Sequence, residues 1–308
     1  MPPRIDIVAL GEAMVEFNQV RPGEATWLQG FGGDTSNAVI AAARAGARTA
    51  YLTRVGDDSF GRMLLDLWAR ESVDTTAVEG VAGGETGLYF VSHGPDGHAF
   101  SYRRAGSAAA RMTPAWLAGA PLAMLRASRW LHVSGISMAI SPSACQTTLA
   151  AMRAAREAGV QVAFDSNLRL KLWSREEAAA AYDQALPFTD LFLPSLDDMT
   201  ALCGLTDAEA VANWAHARGA RQVVVKLGDR GALVSDGNQR HRLDALPATV
   251  VDATGAGDCF AGNLLARLVA GDELLAAARY ANAAASLAVQ GYGAVAPLPR
   301  PDAVRALL

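Results

Sequence analysis

Short apolar runs alternate with longer Ala- and Leu-rich stretches along this whole chain, and that rhythm limits the folds open to it. Residues 5–10, 49–55, 129–134, 160–165, 191–193, 222–226 and 232–235 have strand length and are mostly apolar. Residues 38–45, 143–158, 175–186, 196–204 and 274–289 carry apolar side chains at helical spacing. A strand apolar on both faces must be covered on both. The pattern therefore predicts an α/β fold: a central, mostly parallel sheet with helices on either side. Residues 15–17 and 27–31 alternate like exposed strands, and 86–92 and 98–104 flank a Gly94-Pro-Asp-Gly97 hairpin turn. These predict a second, small sheet. A chain of 308 residues has room for one large domain or two smaller ones.

The chemistry is concentrated at residues 250–262, Val-Val-Asp-Ala-Thr-Gly-Ala-Gly-Asp-Cys-Phe-Ala-Gly. Val250 and Val251 read as the end of a strand, residues 255–257 as a tight turn, and the segment through Leu264, Leu265 and Leu268 as a helix. Such a turn aims the N–H groups of Gly255, Ala256 and Gly257 into one space, backed by the positive end of the helix dipole, which suits an anion. Asp258 falls in the first helical turn, where the dipole favours its carboxylate and predicts ionisation at neutral pH. An anion hole beside a carboxylate can stabilise a transferring phosphoryl group while removing a proton from the attacking hydroxyl. An ordinary strand-to-helix turn with a capping aspartate would have the same sequence. The P-loop pattern is absent, and the third glycine of a dinucleotide fingerprint would fall on Phe260.

The run from Asp252 to Phe260 resembles the C-terminal signature of the ribokinase-like (PfkB-type) carbohydrate kinases, and Gly32-Gly33-Asp-Thr-Ser-Asn37 resembles their N-terminal one. Read without the family, the latter is a turn before a helix capped by Thr35 or Ser36. The resemblance implies a three-layer sandwich over residues 1–308 as a single catalytic domain. Strands from about 12–31 and 84–104 would be inserted as a lid whose outer face joins subunits into a homo-oligomer. It implies Asp258 as catalytic base, Gly255, Ala256 and Gly257 as the anion hole, and ATP with Mg²⁺ as phosphoryl donor. Lys226, Gly228 and Gly231 of the loop at 226–231, with Gly255, Gly257 and Asn282, would hold the nucleotide. Where the family carries Asn-x-x-Glu near the magnesium, this chain has Ser195-Leu-Asp-Asp198, so an outer role in magnesium binding passes to Asp198. Arg103 stands where an aromatic is expected, and a monovalent cation near Asp252 is a further family feature.

Residues 87–89, 102–108, 131–136 and 165–173 are together similar to the 2-keto-3-deoxygluconate kinases of that family. The implied reaction is phosphorylation of the terminal hydroxyl, giving 2-keto-3-deoxy-6-phosphogluconate. Gly33, Tyr89, Tyr102, Arg104 and Arg169 would hold the keto acid beside Asp258. Arginines suit a carboxylate, which they bind bidentately. Alternatives stay open: Arg104 as a solvated strand end, Arg169 paired with Asp165, and the tyrosines as packing. So do other acceptors, fructose or 2-keto-3-deoxygalactonate, and a catalytically silent sugar-acid binding protein.

A net charge of −4 gives no reason to expect nucleic acid or an anionic membrane as partner. No stretch of about 18 uncharged apolar residues predicts a membrane span. Asp6 and Glu12 interrupt the first apolar run, so no signal peptide is expected and a cytoplasmic location is. Cys145, Cys203 and Cys259 are widely spaced and read as free thiols, and the histidines lack metal-ligand spacing.

Overall fold

The protein is described by a computed structural model covering residues 5–94 and 97–308. Among these residues the central sheet has nine strands. From one edge they run Arg240–Leu243, Ala232–Ser235, Gln222–Lys226, Leu191–Leu193, Gln161–Asp165, Trp130–Ser134, Ile7–Leu10, Thr49–Leu52 and Val73–Asp74. Pairing is parallel from Gln222–Lys226 through Val73–Asp74, and antiparallel for the two strands at the Arg240 edge.

The period-2 alternation of strand residues divides the core. Val8, Leu131, Val162 and Phe192 face the helices Pro142–Glu157, Arg175–Ala185, Leu196–Cys203 and Ala208–His216. Ile7, Trp130, Ala163 and Leu191 face Asp34–Arg44, Ala256–Ala270 and Leu274–Ala288. Both faces are buried, as the continuous apolar runs require. The chain reverses its direction of growth between Ile7–Leu10 and Trp130–Ser134. A crevice therefore opens there at the carboxyl ends of the strands, the usual ligand position in open α/β sheets.

The second sheet has the order Trp27–Gly32, Met14–Gln19, Leu88–Gly94, Gly97–Arg103. Met14–Gln19 runs parallel to Leu88–Gly94, and the other pairs are antiparallel. Among the described residues no helix is long and apolar enough to cross a membrane.

Several local expectations change. The segment before Gly255 is not a strand. Val250 and Val251 are 65% and 43% exposed, and the Val251 N–H donates to Val289 O at 2.8 Å instead of joining a ladder. β-Branched residues favour extended backbone, but Val250 and Val251 pair with no strand among the described residues. Neither Thr35 nor Ser36 caps its helix, which begins at Asp34 after Gly33. Thr35 Oγ1 meets Tyr51 OH at 2.9 Å, and Ser36 Oγ accepts from Trp68 Nε1 at 2.9 Å. The expected strand 49–55 breaks into Thr49–Leu52 in the large sheet and Arg54–Gly56, which pairs with Glu79–Val81. Val15 and Glu16 are buried rather than exposed, because Met14–Gln19 is interior to its sheet. Two residues of the 94–97 turn, Pro95 and Asp96, lie outside the described residues.

Candidate active site

The crevice is a cleft of about 1040 Å³ between the carboxyl ends of the large sheet and the small sheet. Its floor is the start of the helix Ala256–Ala270. Gly255 precedes it at φ +76, a left-handed conformation that costs an L side chain about 1 kcal/mol or more. Asp258 follows in the first turn. Gly262, one turn on, lets the helix Asp34–Arg44 approach so closely that a Cβ there would lie 2.1 Å from Ala38 O. That approach lets Asn37 Nδ2 donate to Asp258 Oδ2 at 2.8 Å.

Asp258 is not simply ionised at neutral pH. Burial pushes its carboxyl up to about 7, the negative charges of Asp34 and Asp165 add to the rise, and the Asn37 hydrogen bond and Lys226 oppose it. The helix dipole considered alone gave the wrong balance, because the sequence did not reveal the desolvation or the second carboxylate. Ala256 also departs from its expected role. Its N–H donates to Ala253 O at 3.2 Å, closing the turn, and the residue does not line the cleft, whereas Gly255 and Gly257 do.

Lys226 ends its strand at the cleft wall, with Nζ 2.5 Å from Asp165 Oδ2 and 3.4 Å from where a Cβ on Gly257 would sit. Asp165 is pushed up by burial, with Lys226 opposing the shift. Gly228 lines the cleft beside Lys226, but Gly231 does not. A Cβ on Gly231 would fall 1.9 Å from Leu243 O, so the packing of the edge strand already requires glycine there. Asn282 is likewise away from the cleft, its Nδ2 donating to Asp244 O at 2.8 Å.

Asp198 lines the cleft, with Oδ2 accepting from Ser166 Oγ at 2.6 Å and Leu168 N at 3.1 Å. Ser195 caps the helix that carries it. No group of three or more His, Cys, Asp or Glu among the described residues is arranged to hold a metal. The donor set suits Mg²⁺ held mainly by nucleotide phosphates with a carboxylate nearby. Asp252 accepts from Thr254 N and Gly293 N, both at 2.9 Å, and so shapes the loop leading to Gly255.

The opposite wall comes from the small sheet and the loop after Gln161–Asp165. Gly33, Tyr89, Tyr102, Arg104 and Arg169 all line the cleft. Tyr89 is buried, its hydroxyl donates to Glu16 and its ring stacks on Tyr102 with centroids 5.9 Å apart. Arg169 is exposed, and its Nη1 donates to Leu168 O at 2.8 Å. No carboxylate among the described residues pairs with it; Asp165, the partner considered from sequence, is held by Lys226. Arg104 is not a free cation, since its Nε donates to Glu12 Oε2 at 2.7 Å.

Sequence reasoning passed over Glu12, Asp34 and Phe100, all of which line the cleft. Asp34 is 7% exposed, Oδ2 accepts from Asn167 Nδ2 at 2.9 Å, and Oδ1 has no hydrogen-bond partner among the described residues. Asn167 itself sits at φ +29, with its N–H on Asp165 Oδ1. The available signal was position: Glu12 follows a buried strand after one glycine, and Asp34 directly follows Gly-Gly.

The cleft thus joins a half-buried carboxylate with a raised pKa, at a helix N-terminus, to a wall of cationic and aromatic side chains. The model of the pfkB family carbohydrate kinases matches residues 4–301. The chain belongs to that family. Family membership makes it a sugar kinase. It is 35% identical over 307 residues to the 2-dehydro-3-deoxygluconokinase of Escherichia coli (strain K12), covering 94% of this chain and 97% of that one. Among solved structures it is similar to a PfkB protein from Polaromonas sp. JS666, with a TM-score of 0.89, 32% identity and 98% and 99% of the two chains covered. It is also similar to a fructokinase from Vibrio cholerae O395 in a fructose-, ADP- and calcium-bound form, with a TM-score of 0.88, 30% identity and 99% of each chain covered.

Proposed function

We propose that this kinase transfers the γ-phosphoryl group of ATP to the terminal hydroxyl of 2-keto-3-deoxygluconate (2-dehydro-3-deoxygluconate), giving 2-keto-3-deoxy-6-phosphogluconate. The observation that carries the reading is that half-buried Asp258 and Arg169, a guanidinium with no carboxylate partner among the described residues, line the same cleft. The name of the Escherichia coli relative supports the same acceptor.

In this reading Arg169 meets the carboxylate of the sugar acid, and Gly33, Tyr89, Tyr102 and Arg104 orient the rest. Asp258 accepts the proton of the terminal hydroxyl as its oxygen forms the new O–P bond. The bond from the γ-phosphorus to the β,γ-bridging oxygen breaks, and ADP leaves with that electron pair. Backbone N–H groups at Gly255 and Gly257, and Lys226 once it turns from Asp165, take up charge on the phosphoryl oxygens. Asp198, which lines the cleft, would help to hold Mg²⁺, and the ion would supply charge neutralisation to the transferring phosphates. Closure of the small sheet as a lid excludes water, which competes as phosphoryl acceptor. Exposed Trp27 and Leu28 on that sheet make it the proposed contact in a homo-oligomer.

A neutral ketose such as fructose is the second reading, favoured by one observation: Glu12 already balances Arg104, so one of the two arginines expected for a carboxylate brings no net charge to the acceptor. The deciding experiment is Mg²⁺- and ATP-dependent phosphorylation of 2-keto-3-deoxygluconate, 2-keto-3-deoxygalactonate, fructose, ribose and gluconate side by side. Preference for a keto acid is expected. Preference for fructose refutes the sugar-acid assignment and keeps the base. No turnover of any acceptor refutes both.

A further inference from the structure

Glu12 lies at the centre of the crevice without a role in the chemistry above. It follows Ile7–Leu10, the strand at which the sheet reverses its growth, and is 1% exposed. A carboxylate so deeply buried is stable only with partners, and Glu12 has partners on both oxygens. Oε2 accepts from Arg104 Nε at 2.7 Å and lies 2.5 Å from Arg104 Nη2. Oε1 accepts from Ser107 Oγ at 2.5 Å. The Ser107 hydroxyl in turn accepts from Ala110 N at 3.1 Å.

These contacts join three separate pieces of chain. Arg104 and Ser107 follow the last strand of the small sheet. Gly87 precedes the strand Leu88–Gly94, and a Cβ there would sit 2.8 Å from Glu12 Oε1. Gly33, at the start of the helix bearing Asn37, packs on the Glu12 backbone, where a Cβ would lie 2.4 Å from Glu12 O. The Glu12 carboxylate therefore ties the segment that follows the small sheet to the end of the central core strand, and the Glu12 backbone packs against the Gly33 loop.

The pin also fixes the guanidinium. Arg104 side-chain exposure is 9%, yet the residue lines the cleft. Nη2 is buried beside Glu12 but too poorly aligned for a hydrogen bond, and it finds no other acceptor. The ion pair with Glu12 therefore fixes the guanidinium in place at the cleft wall. We propose that Glu12 is a positioning residue of the acceptor site: it clamps Arg104 so that the guanidinium presents a fixed, charge-balanced donor to the acceptor. The net charge for an anionic acceptor then rests on Arg169. This deepens the proposed function and rests on the acceptor occupying the cleft beside Asp258, though not on which alcohol it is.

The test is steady-state kinetics of Glu12→Gln, Glu12→Ala and Ser107→Ala in the wild-type chain and in an Arg104→Ala background. Wild type is first assayed on the acceptor panel, and the variants are then run with the acceptor it prefers, so a wrong acceptor assignment is recognised separately. Glu12→Gln should raise the acceptor KM about tenfold or more while the ATP KM stays within about twofold. Ser107→Ala, which removes one hydroxyl and leaves the ion pair, should give about a twofold to fivefold rise and serves if the Glu12 variants fold poorly. In the Arg104→Ala background Glu12→Gln should add less than about twofold, because its effect passes through the guanidinium. An unchanged acceptor KM, equal losses for acceptor and ATP, or full additivity with Arg104→Ala would overturn the proposal.

Discussion

Asp34→Asn tests the electrostatics of the proposed base most directly. Asp258 is held up to about 7 by burial first and by the charge of Asp34 second, with Asp165 adding and Asn37 and Lys226 opposing. The substitution removes one negative charge, keeps the side-chain shape and retains an oxygen for the Asn167 amide. A like charge in a shared buried site typically accounts for a shift of about one unit, or ~1.4 kcal/mol. The pH dependence of kcat/KM for the acceptor at fixed Mg·ATP should then move its acidic limb down by about one unit. One unit below the wild-type midpoint, the deprotonated fraction of the base would rise from about one tenth to about one half. Asp34 also lines the cleft, so the plateau is expected to fall, and each profile is normalised to its own plateau. A continuous ADP-coupled assay from pH 5.5 to 8.5 reads the shift, with the coupling enzymes in excess throughout. An acidic limb that stays in place, or moves up, would refute the claim that Asp34 raises the base.

The same shift has a stability consequence with a definite sign. The folded value of Asp258 lies above the ordinary carboxylate range, so its contribution is full below that range and lost as pH rises through about 7. Asp34→Asn should therefore lessen the fall in thermal stability between pH 5 and 8, and a steeper fall would count against the account. Asp258→Asn should lower kcat by about two to four powers of ten while calorimetry still detects acceptor binding. Near-normal turnover would remove Asp258 as base. Arg169→Ala should raise the acceptor KM by at least about tenfold and leave that of ATP almost unchanged; equal effects on both would place the residue outside the acceptor site. Lys226→Met strips buried Asp165 of its counter-charge and should cost about 3 kcal/mol near neutral pH. Asp165 is already raised, so the loss should shrink on acidification as that carboxyl takes up a proton; a pH-independent loss in Tm would contradict the pairing.

How far the site could be read in advance differs residue by residue. Asp258, Gly255 and Gly257 were legible because a glycine turn followed by an acidic first helical turn is a local arrangement. Asn282 and Gly231 were carried over by resemblance, and in the folded chain they contact Asp244 and crowd against Leu243. The arginines were visible as residue types but not as charges in context. Nothing within 90 residues of Arg104 announces that Glu12 neutralises it, since that pairing spans 92 positions.

The sequence by itself determined the layered α/β architecture, because strands apolar on both faces demand helices on both. It also determined the glycine turn and the carboxylate behind it, because backbone conformation and helix polarity are local properties. Tertiary structure alone decided which strand runs find partners, and it left Val250 and Val251 in an exposed loop. It alone decided the protonation of Asp258, which depends on burial and on Asp34, 224 positions away by residue number. Desolvation and Coulomb energies follow distance through space, and chain order does not encode that distance until the sheet has closed the cleft.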